Sequence, residues 1–273
     1  MKKVINFILV AVLILVASSC SKDEDTTIRV VATAIPHGEI LEFAKPLLKE
    51  KGYTLEVDIV DSYTTPNPAV ANGSADANFF QHIPYLNAFN DNPSTTIKLV
   101  NAAGIHIEPI GLYSPQGAKH RNSLSDIQTG DTILMSNSDA DVARLLNLLH
   151  AAGLITVKNP GSLSTTESDI LTNPKNLTIS RNVDPDSLLV AYAAGEANLI
   201  LINGNYALAG GLNPINDALY LESTTNNPYT NVLACTEASL NTPKIKALIE
   251  VLTSEAVKEF IRTTYNGSVI PSV

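Results

Sequence analysis

Residues 28–60, IRVVATAIPHGEILEFAKPLLKEKGYTLEVDIV, contain a strand, a helix and a second strand in succession. IRVVATA (28–34) is rich in β-branched residues, which favours a strand. EILEFAKPLLKEKG (39–52) places apolar residues at helical spacing, and Pro46 is expected to kink this helix without ending it. TLEVDIV (54–60) alternates apolar and polar residues, as a second strand does. This order predicts an α/β fold with mostly parallel sheets flanked by helices.

The same alternation recurs further along the chain. Strands are predicted at 131–136, 176–180 and 198–203, helices at 138–152 and 184–195, and two helices close the chain. Ser138 or Asp139 is expected to cap the first of these helices. The repeated order of strand and helix supports the α/β prediction over the whole domain.

Two polar interruptions divide this pattern. IEPIGLYSPQGAKH (107–120) and LESTTNNPYTN (221–231) are the candidate crossings between two lobes. They predict lobe 1 at residues 28–112 plus 226–273 and lobe 2 at 113–225. A chain that crosses twice is typical of hinged binding proteins, whose ligands lie in the cleft at the carboxyl ends of strands.

The first residues are typical of an export signal. Residues 1–19 carry Lys2 and Lys3, an apolar run and small residues, and Cys20 follows directly. The apolar run is about 13 residues, shorter than the roughly 20 that a membrane-spanning helix needs. We therefore predict a lipoprotein signal peptide at 1–19, lipidation of Cys20, and a flexible acidic tether over residues 20–27.

Composition excludes several classes of function. The formal charge is 18 − 27 = −9, and no Lys/Arg-rich run is present, so nucleic acid is not an expected partner. The motifs of serine hydrolases, zinc peptidases and P-loop proteins are missing, so we predict no catalytic residue, no metal and no cofactor. With Cys20 lipidated, Cys235 is alone and is expected to be a buried small hydrophobe.

Aromatic residues are concentrated in ANFFQHIPYLNAF (77–89), which holds four of the fifteen Phe and Tyr residues of the chain. Phe80 and His82 are two apart and point the same way in an extended segment, whereas Phe79 points to the other face. The stretch therefore predicts a strand with one face in the core and the other in a cleft. Tyr85 follows in the first turn of a helix.

Three polar residues are candidate ligand contacts. Arg144 lies near the first turn of an apolar helix, and a solvated position is its ordinary alternative. Asn203 ends a buried strand and Asn231 begins one, although Asn is also common in turns. His106 and Glu108 are two apart on one strand face, which suits either acid–base catalysis or a structural pair.

Several segments together resemble the NLPA-type lipoproteins, the methionine-binding components of ABC importers. The matching segments are PHGEILEFAKPLLKEKGYTLEV, DSYTTPN, DANFFQHIPYL, HIEPIGLYS, NPKNL, INGNYALAGGLNP and NPYTNVL. The resemblance covers the chain from about residue 28 onward. It implies a two-lobed (type II) periplasmic-binding-protein fold, a lipid anchor at the cell envelope, and delivery of an amino acid to a membrane permease driven by an ATPase.

The resemblance also implies roles for individual residues. Tyr63, Phe80, His82 and Tyr85 match the aromatic wall around the methionine side chain. Arg144 matches the residue that holds the ligand carboxylate, and Asn203 and Asn231 match the asparagines at its polar end. The chain departs from the family at 136–144, SNSDADVAR, where Asp141 replaces an Asn. Asp141 is expected either to pair with Arg144 or to meet a ligand ammonium.

The sequence thus predicts a monomeric, lipid-anchored, non-enzymatic binding protein for L-methionine or a close relative. A Met-containing dipeptide or another small amino acid is the alternative ligand. An enzyme that uses His82, or His106 with Glu108, is an alternative of another class. A scaffold lipoprotein that lost its ligand is a third, favoured if Arg144 and Asp141 pair with each other.

Overall fold

The computed structural model describes residues 26–272, which form two main β-sheets flanked by helices. The predicted signal peptide, the lipidation of Cys20 and most of the tether lie outside the described residues. Within residues 26–272 no helix is long and apolar enough to cross a membrane.

The elements alternate between strand and helix, as the sequence predicts. The strands are β1 (Thr27–Ala32), β2 (Thr54–Ile59), β3 (Ala77–His82), β4 (Leu99–Ile107), β5 (Gly111–Tyr113), β6 (Thr132–Ser136), β7 (Thr156–Val157), β8 (Ile170–Thr172), β9 (Thr178–Val183), β10 (Leu199–Ile202), β11 (Tyr220–Leu221), β12 (Thr230–Thr236) and β13 (Ile270–Pro271). The α-helices are α1 (Glu39–Glu50), α2 (Pro66–Ala71), α3 (Ile83–Asp91), α4 (Val142–Ala151), α5 (Leu188–Ala194), α6 (Gly204–Ala209), α7 (Pro214–Asp217), α8 (Glu237–Leu240), α9 (Pro243–Leu252) and α10 (Glu255–Tyr265).

Lobe 1 is built on the six-stranded sheet, in the order β13-β4-β12-β3-β1-β2, and lobe 2 on the five-stranded sheet, in the order β11-β5-β10-β6-β9. Both sheets are mixed, so the prediction of mostly parallel sheets is wrong in this detail. In lobe 1, β1 is parallel to β2 and β3, whereas β12 is antiparallel to β3 and β4. In lobe 2, β6 is parallel to β9 and β10, whereas β5 is antiparallel to β10 and β11.

The reversal comes from the two crossings. β3 and β4 run toward lobe 2, and β12 starts where the chain returns from lobe 2, so it runs against both of its neighbours. β5 likewise starts at the first crossing and runs against β10. The crossings themselves are short, at residues 108–110 and 222–229. Residues 111 and 112 pair within the second sheet, although the predicted boundary assigned them to lobe 1.

Two local predictions have different outcomes. Helix α1 continues through Pro46, as predicted. Helix α4 begins at Val142, so the prediction that Ser138 or Asp139 caps it is wrong. Asp141 occupies the capping position without a side-chain bond to the helix. Its carboxylate instead bonds to side chains between the lobes, as described below.

Candidate functional site

One narrow cavity between the lobes collects seven of the eight predicted ligand residues. It is lined by Tyr63, Phe80, Gln81, His82, Tyr85, Glu108, Arg144, Asn203, Gly204, Asn205 and Asn231. The cavity volume is about 20 Å³, so the space is a tight slot. Asp141, the eighth residue, is 1% exposed and lies behind this lining.

Aromatic rings form one wall of the slot. The Phe80 ring centre lies 5.9 Å from that of Tyr63 and 5.6 Å from that of Tyr85. Phe79, on the opposite face of β3, is fully buried in the core of lobe 1. The predicted division of this strand between core and cleft is therefore confirmed, and it follows from the two-residue period of a strand.

The hydroxyl groups of the tyrosines near this wall join the lobes. Tyr63 Oη donates to Asn205 Oδ1 at 2.5 Å, and Tyr206 Oη donates to the backbone oxygen of Asp61 at 2.7 Å. Burial raises the pKa of Tyr63 well above its ordinary value, so the hydroxyl keeps its proton and donates. The structure is thus a closed form, in which side chains of each lobe bond to the other.

A second cross-lobe contact joins His82 and Asp141. His82 Nδ1 accepts the backbone N–H of Tyr85, so Nε2 carries the proton and donates to Asp141 Oδ1 at 2.9 Å. Asp141 Oδ2 accepts from Asn203 Nδ2 at 3.3 Å. Burial raises the pKa of Asp141, but the bond from His82 and the charge of Arg144 outweigh it, and the net shift is downward. Asp141 is therefore a buried, charged carboxylate, and the neutral imidazole of His82 does not cancel its charge.

This arrangement fixes the orientation of Asn203. Because its Nδ2 donates to Asp141, its Oδ1 is the buried atom left over, and it has no hydrogen-bond partner within the described chain. An unpaired buried acceptor is costly unless a ligand or water satisfies it. Asn203 follows β10 and lies at the start of α6, the carboxyl end of a strand at which ligands are expected.

Arg144 is buried and paired, but with a residue that the sequence did not indicate. Its Nε and Nη2 donate to the two carboxylate oxygens of Glu222 at 2.9 and 2.6 Å, and Nη2 also donates to the backbone oxygen of Glu108 at 2.7 Å. The guanidinium carbon lies 4.5 Å from the centre of the Tyr229 ring. Arg144 and Asp141 are not bonded to each other, and the solvated alternative for Arg144 is wrong because the residue is 4% exposed.

A buried cluster lies directly behind Asn231. In lobe 1, Asn231 is paired in register with His82 on one side and His106 on the other. Its Oδ1 contacts His37 Nε2 at 3.1 Å, and His37 and His106 each place Nε2 against Glu108 Oε1, at 3.1 and 2.6 Å. The structural-pair interpretation of His106 and Glu108 therefore matches the contacts of these side chains, which are 0% and 5% exposed.

The same cluster is the place where a metal ion would find suitable side chains. The ligating atoms of His37, His106 and Glu108 lie within 4.8 Å of one another. Both Nε2 atoms face carboxylate or amide oxygens, however, so they carry protons and donate them. Burial lowers the pKa of His37 to about 4 and that of His106 to about 3, while it raises the pKa of Glu108. The cluster is thus hydrogen-bonded internally.

Sequence reasoning missed Glu222, Asn205, Tyr229 and Gly204 as parts of the site. Asn205 and Gly204 lie inside INGNYALAGGLNP, a segment that resembles the family as a whole without indicating a role for either residue. A Cβ atom at Gly204 would lie 3.0 Å from both Glu108 Cβ and the Pro109 oxygen, so glycine permits the close approach of α6 to the first crossing. Glu222 and Tyr229 lie in the second crossing, whose polar composition suggested only a connection.

The lining has two chemically different parts. Aromatic rings supply one part of the lining, and Arg144 and Asn203 supply a polar part, in which Arg144 Nη1 is a donor and Asn203 Oδ1 an acceptor without a partner among residues 26–272. A few placed polar groups in a mainly apolar pocket are typical of small-molecule sites. The slot suits a ligand with an apolar tail and a head that carries both an acceptor and a donor.

Comparison with known proteins gives a family and a set of solved folds. The family model described as NlpA lipoprotein matches residues 28–273. The methionine-binding lipoprotein MetQ of Bacillus subtilis is 46% identical over 243 residues, which cover 89% of this chain and 86% of that protein.

Two solved structures extend the comparison. A nutrient-binding protein from Burkholderia cenocepacia, bound to methionine, is 35% identical with a TM-score of 0.81, over 90% of this chain and all of that one. A periplasmic substrate-binding protein of an ABC transporter from Coxiella burnetii is 36% identical with a TM-score of 0.81, again over 90% of this chain and all of that one. The predicted periplasmic-binding-protein fold is thereby confirmed. The chain belongs to the NlpA lipoprotein family.

Proposed function

We propose that the protein is the lipid-anchored, non-enzymatic binding component of an ABC importer, and that it closes its two lobes over L-methionine or a close relative. The observation that carries this proposal is the combination, in one slot, of an aromatic wall with polar side chains that have free donor groups and one free acceptor. A thioether gains roughly 0.3–1.5 kcal/mol from contact with aromatic rings. Relatives whose names state methionine binding support the same ligand.

The polar part of the lining assigns the two charges of an amino acid. Arg144 Nη1 and Asn231 Nδ2, from two residues that line the slot, are donors for the carboxylate, and neither nitrogen has a hydrogen-bond partner among residues 26–272. Asn203 Oδ1 is an acceptor for the ammonium, and the charge of Asp141 lies directly behind it. Asp141 therefore acts on the ammonium through Asn203 and its charge, whereas pairing with Arg144, which would favour a scaffold without a ligand, is not observed.

The alternative ligand is a Met-containing dipeptide. The slot opens past Tyr63 and Tyr85 toward an outer cavity of about 550 Å³ between the lobes, lined also by Asp139, Asp184 and Asp186. This outer space has room for a second residue, but Arg144, Asn203 and Asn231, which would hold the termini, do not line it. The tight inner slot favours a single amino acid.

The alternative of another class, an enzyme, lacks a free base. Both ring nitrogens of His82 are used, one by the Tyr85 N–H and one by Asp141. His106 is fully buried and donates to Glu108. A proton from a ligand would break a buried hydrogen bond at His82, and Nδ1 of His106, which has no partner among the described residues, is buried away from the slot lining, so we assign these residues to structure and binding.

The remaining partners follow from the proposed class. Cys20 would carry the lipid that holds the protein at the cell envelope, and a membrane permease with its ATPase would receive the ligand. We also propose that the protein acts as a monomer, since one chain supplies both lobes of the slot and the slot needs no second copy. Binding energy selects the closed form that the permease recognises.

The test is isothermal titration of protein that has been unfolded and refolded to remove carried-over ligand. We expect methionine to bind with micromolar or tighter affinity and Met dipeptides to bind more weakly. Arg144→Lys keeps a positive charge beside Glu222 but loses Nη1, and it should weaken methionine binding at least tenfold, about 1.4 kcal/mol. The proposal would be contradicted if the refolded protein bound no free amino acid, or if Arg144→Lys bound methionine with the affinity of the parent protein.

A further inference from the structure

The guanidinium of Arg144 has most of its donors committed before any ligand arrives. Of its five N–H groups, the one on Nε and both on Nη2 point to Glu222 and to the Glu108 backbone oxygen. Only the two on Nη1 have no partner among the described residues. The side of the guanidinium formed by Nε and Nη2, which could bind a carboxylate with two hydrogen bonds, is therefore occupied by Glu222.

Glu222 is in turn held in place by the first crossing. Its Oε2 accepts the backbone N–H of Ile110 at 3.1 Å, and its own N–H donates to the Ile110 oxygen at 2.9 Å. The side chains of Arg144 and Glu222 are 3% and 12% exposed, so the pair is shielded from water. The ring of Tyr229, from the same crossing as Glu222, packs on the guanidinium.

From this geometry we propose that Glu222 is a positioning residue, which turns Nη1 of Arg144 toward the ligand carboxylate and links its capture to both crossings. The inference rests on the proposed function and deepens it. The guanidinium contacts both Glu108 and Tyr229, which lie in different crossings. A carboxylate bound to Nη1 is therefore linked to both crossings through this one group. The carboxylate of Glu222 also neutralises the charge of Arg144. Selection of the ligand carboxylate therefore depends on the direction of Nη1 more than on the net charge of the ion pair.

The test uses Glu222→Gln, which has nearly the same shape but can accept only through one oxygen. Its amide N–H groups would face the donors of Arg144 or of Ile110, so the guanidinium is no longer held in one orientation. Affinity is measured for methionine and for methioninol, in which a hydroxymethyl group replaces the carboxylate. We expect the variant to lose about tenfold in methionine affinity, or 1.4 kcal/mol, and less than twofold for methioninol.

Asp131→Asn is the matched control. Arg121 donates Nε and Nη2 to Asp131 at 2.7 and 2.5 Å, the same side-on pairing in the same lobe but outside the slot. This variant should leave both affinities unchanged. Glu222→Asp serves if the Gln variant does not fold, since it keeps the charge but withdraws the carboxylate by one methylene. Like Glu222→Gln, it should lower the affinity for methionine relative to that for methioninol.

The outcomes separate the inference from the function beneath it. Equal losses for methionine and methioninol would show that Glu222 only stabilises the fold, and no loss for either ligand would also overturn the positioning role while methionine binding stands. Failure of the parent protein to bind methionine would remove both. In the Arg144→Lys background, Glu222→Gln should cause no further change in the ratio, because its effect passes through Arg144.

Discussion

Replacing Asp141 by Asn tests whether a buried carboxylate that the ligand does not touch sets the polarity of the slot. Asp141 accepts two hydrogen bonds, from His82 Nε2 and from Asn203 Nδ2. An Asn at this position has one acceptor oxygen and one NH₂ group. If the oxygen faces His82, the NH₂ group meets the NH₂ group of Asn203, and two donors then oppose each other.

The simplest relief is rotation of the Asn203 amide by half a turn. Its Oδ1 then accepts from the new side chain, and its NH₂ group takes the place of the free acceptor beside the slot. A hydrogen bond from an ammonium to that acceptor contributes about 1.5–3 kcal/mol, so its loss corresponds to roughly a tenfold or larger rise in Kd. Loss of the charge of Asp141 behind the slot acts in the same direction.

The assay is titration with methionine and with 4-(methylthio)butanoate, which has the same thioether and carboxylate but no ammonium. We expect Asp141→Asn to weaken methionine binding about tenfold and to leave the desamino analogue within about twofold. Asp139→Asn is the control, because Asp139 lies two residues away with a side chain that is 95% exposed and paired with Arg181. Equal weakening for both ligands would refute the reasoning, since it would mean that Asp141 supports the closed fold rather than the ammonium contact.

Three further predictions concern the wall, the buried histidines and the thiol. Phe80→Leu should reduce the preference for methionine over norleucine about two- to tenfold in competitive titration, because it removes the ring contact with sulfur while the wall stays apolar; an unchanged preference would exclude that contact. Urea unfolding should show that the protein is less stable at pH 5 than at pH 7, by up to about 1.4 kcal/mol per pH unit for each of His37 and His106. The reason is that the imidazoles bind protons below about pH 6.5 in the unfolded chain, whereas in the folded protein their pKa values are about 4 and about 3. Glu108, whose pKa is raised, offsets part of this loss, and His106→Gln should reduce the slope, whereas an unchanged slope would place the proton uptake elsewhere. Cys235 is fully buried with a pKa raised to about 11, so alkylation mapped by mass spectrometry should modify it at pH 8 only after unfolding, and rapid modification of the native protein would contradict its burial.

Those parts of the structure that depend on local periodicity were predictable from the sequence. The two-residue period of β3 separates Phe79 from Phe80, and the structure puts the first in the core and the second in the slot. Asn203 at the end of β10 was predictable for a similar reason, because strand ends in α/β folds face the cleft. The mixed sheets were not predictable in this way, since strand direction depends on where the chain re-enters each lobe.

The partners of the site residues were not predictable, because each joins distant segments. Arg144 and Glu222 are 78 residues apart, and His82 and Asp141 are 59 apart. Nothing in LESTTNNPYTN distinguishes Glu222 from any other acidic residue of a polar crossing. Its role depends on the short first crossing, which brings the Ile110 backbone against it. Reasoning from neighbouring residues can name a buried Arg but not the carboxylate that orients it.

The start of helix α4 shows how such a site overrides local rules. Ser138, Asp139 and Asp141 are all good capping residues, yet the helix begins at Val142 without a side-chain cap. A missing cap costs about 1 kcal/mol. Asp141 gives up that bond because its carboxylate is turned away from the helix, toward Asn203 in the same lobe and His82 in the other, and the bond to His82 forms only when the lobes are closed. The carboxylate of Asp141 thus stabilises the closed site instead of the start of the helix. Its departure from the capping role that the local sequence favours marks the place where the two lobes meet the ligand.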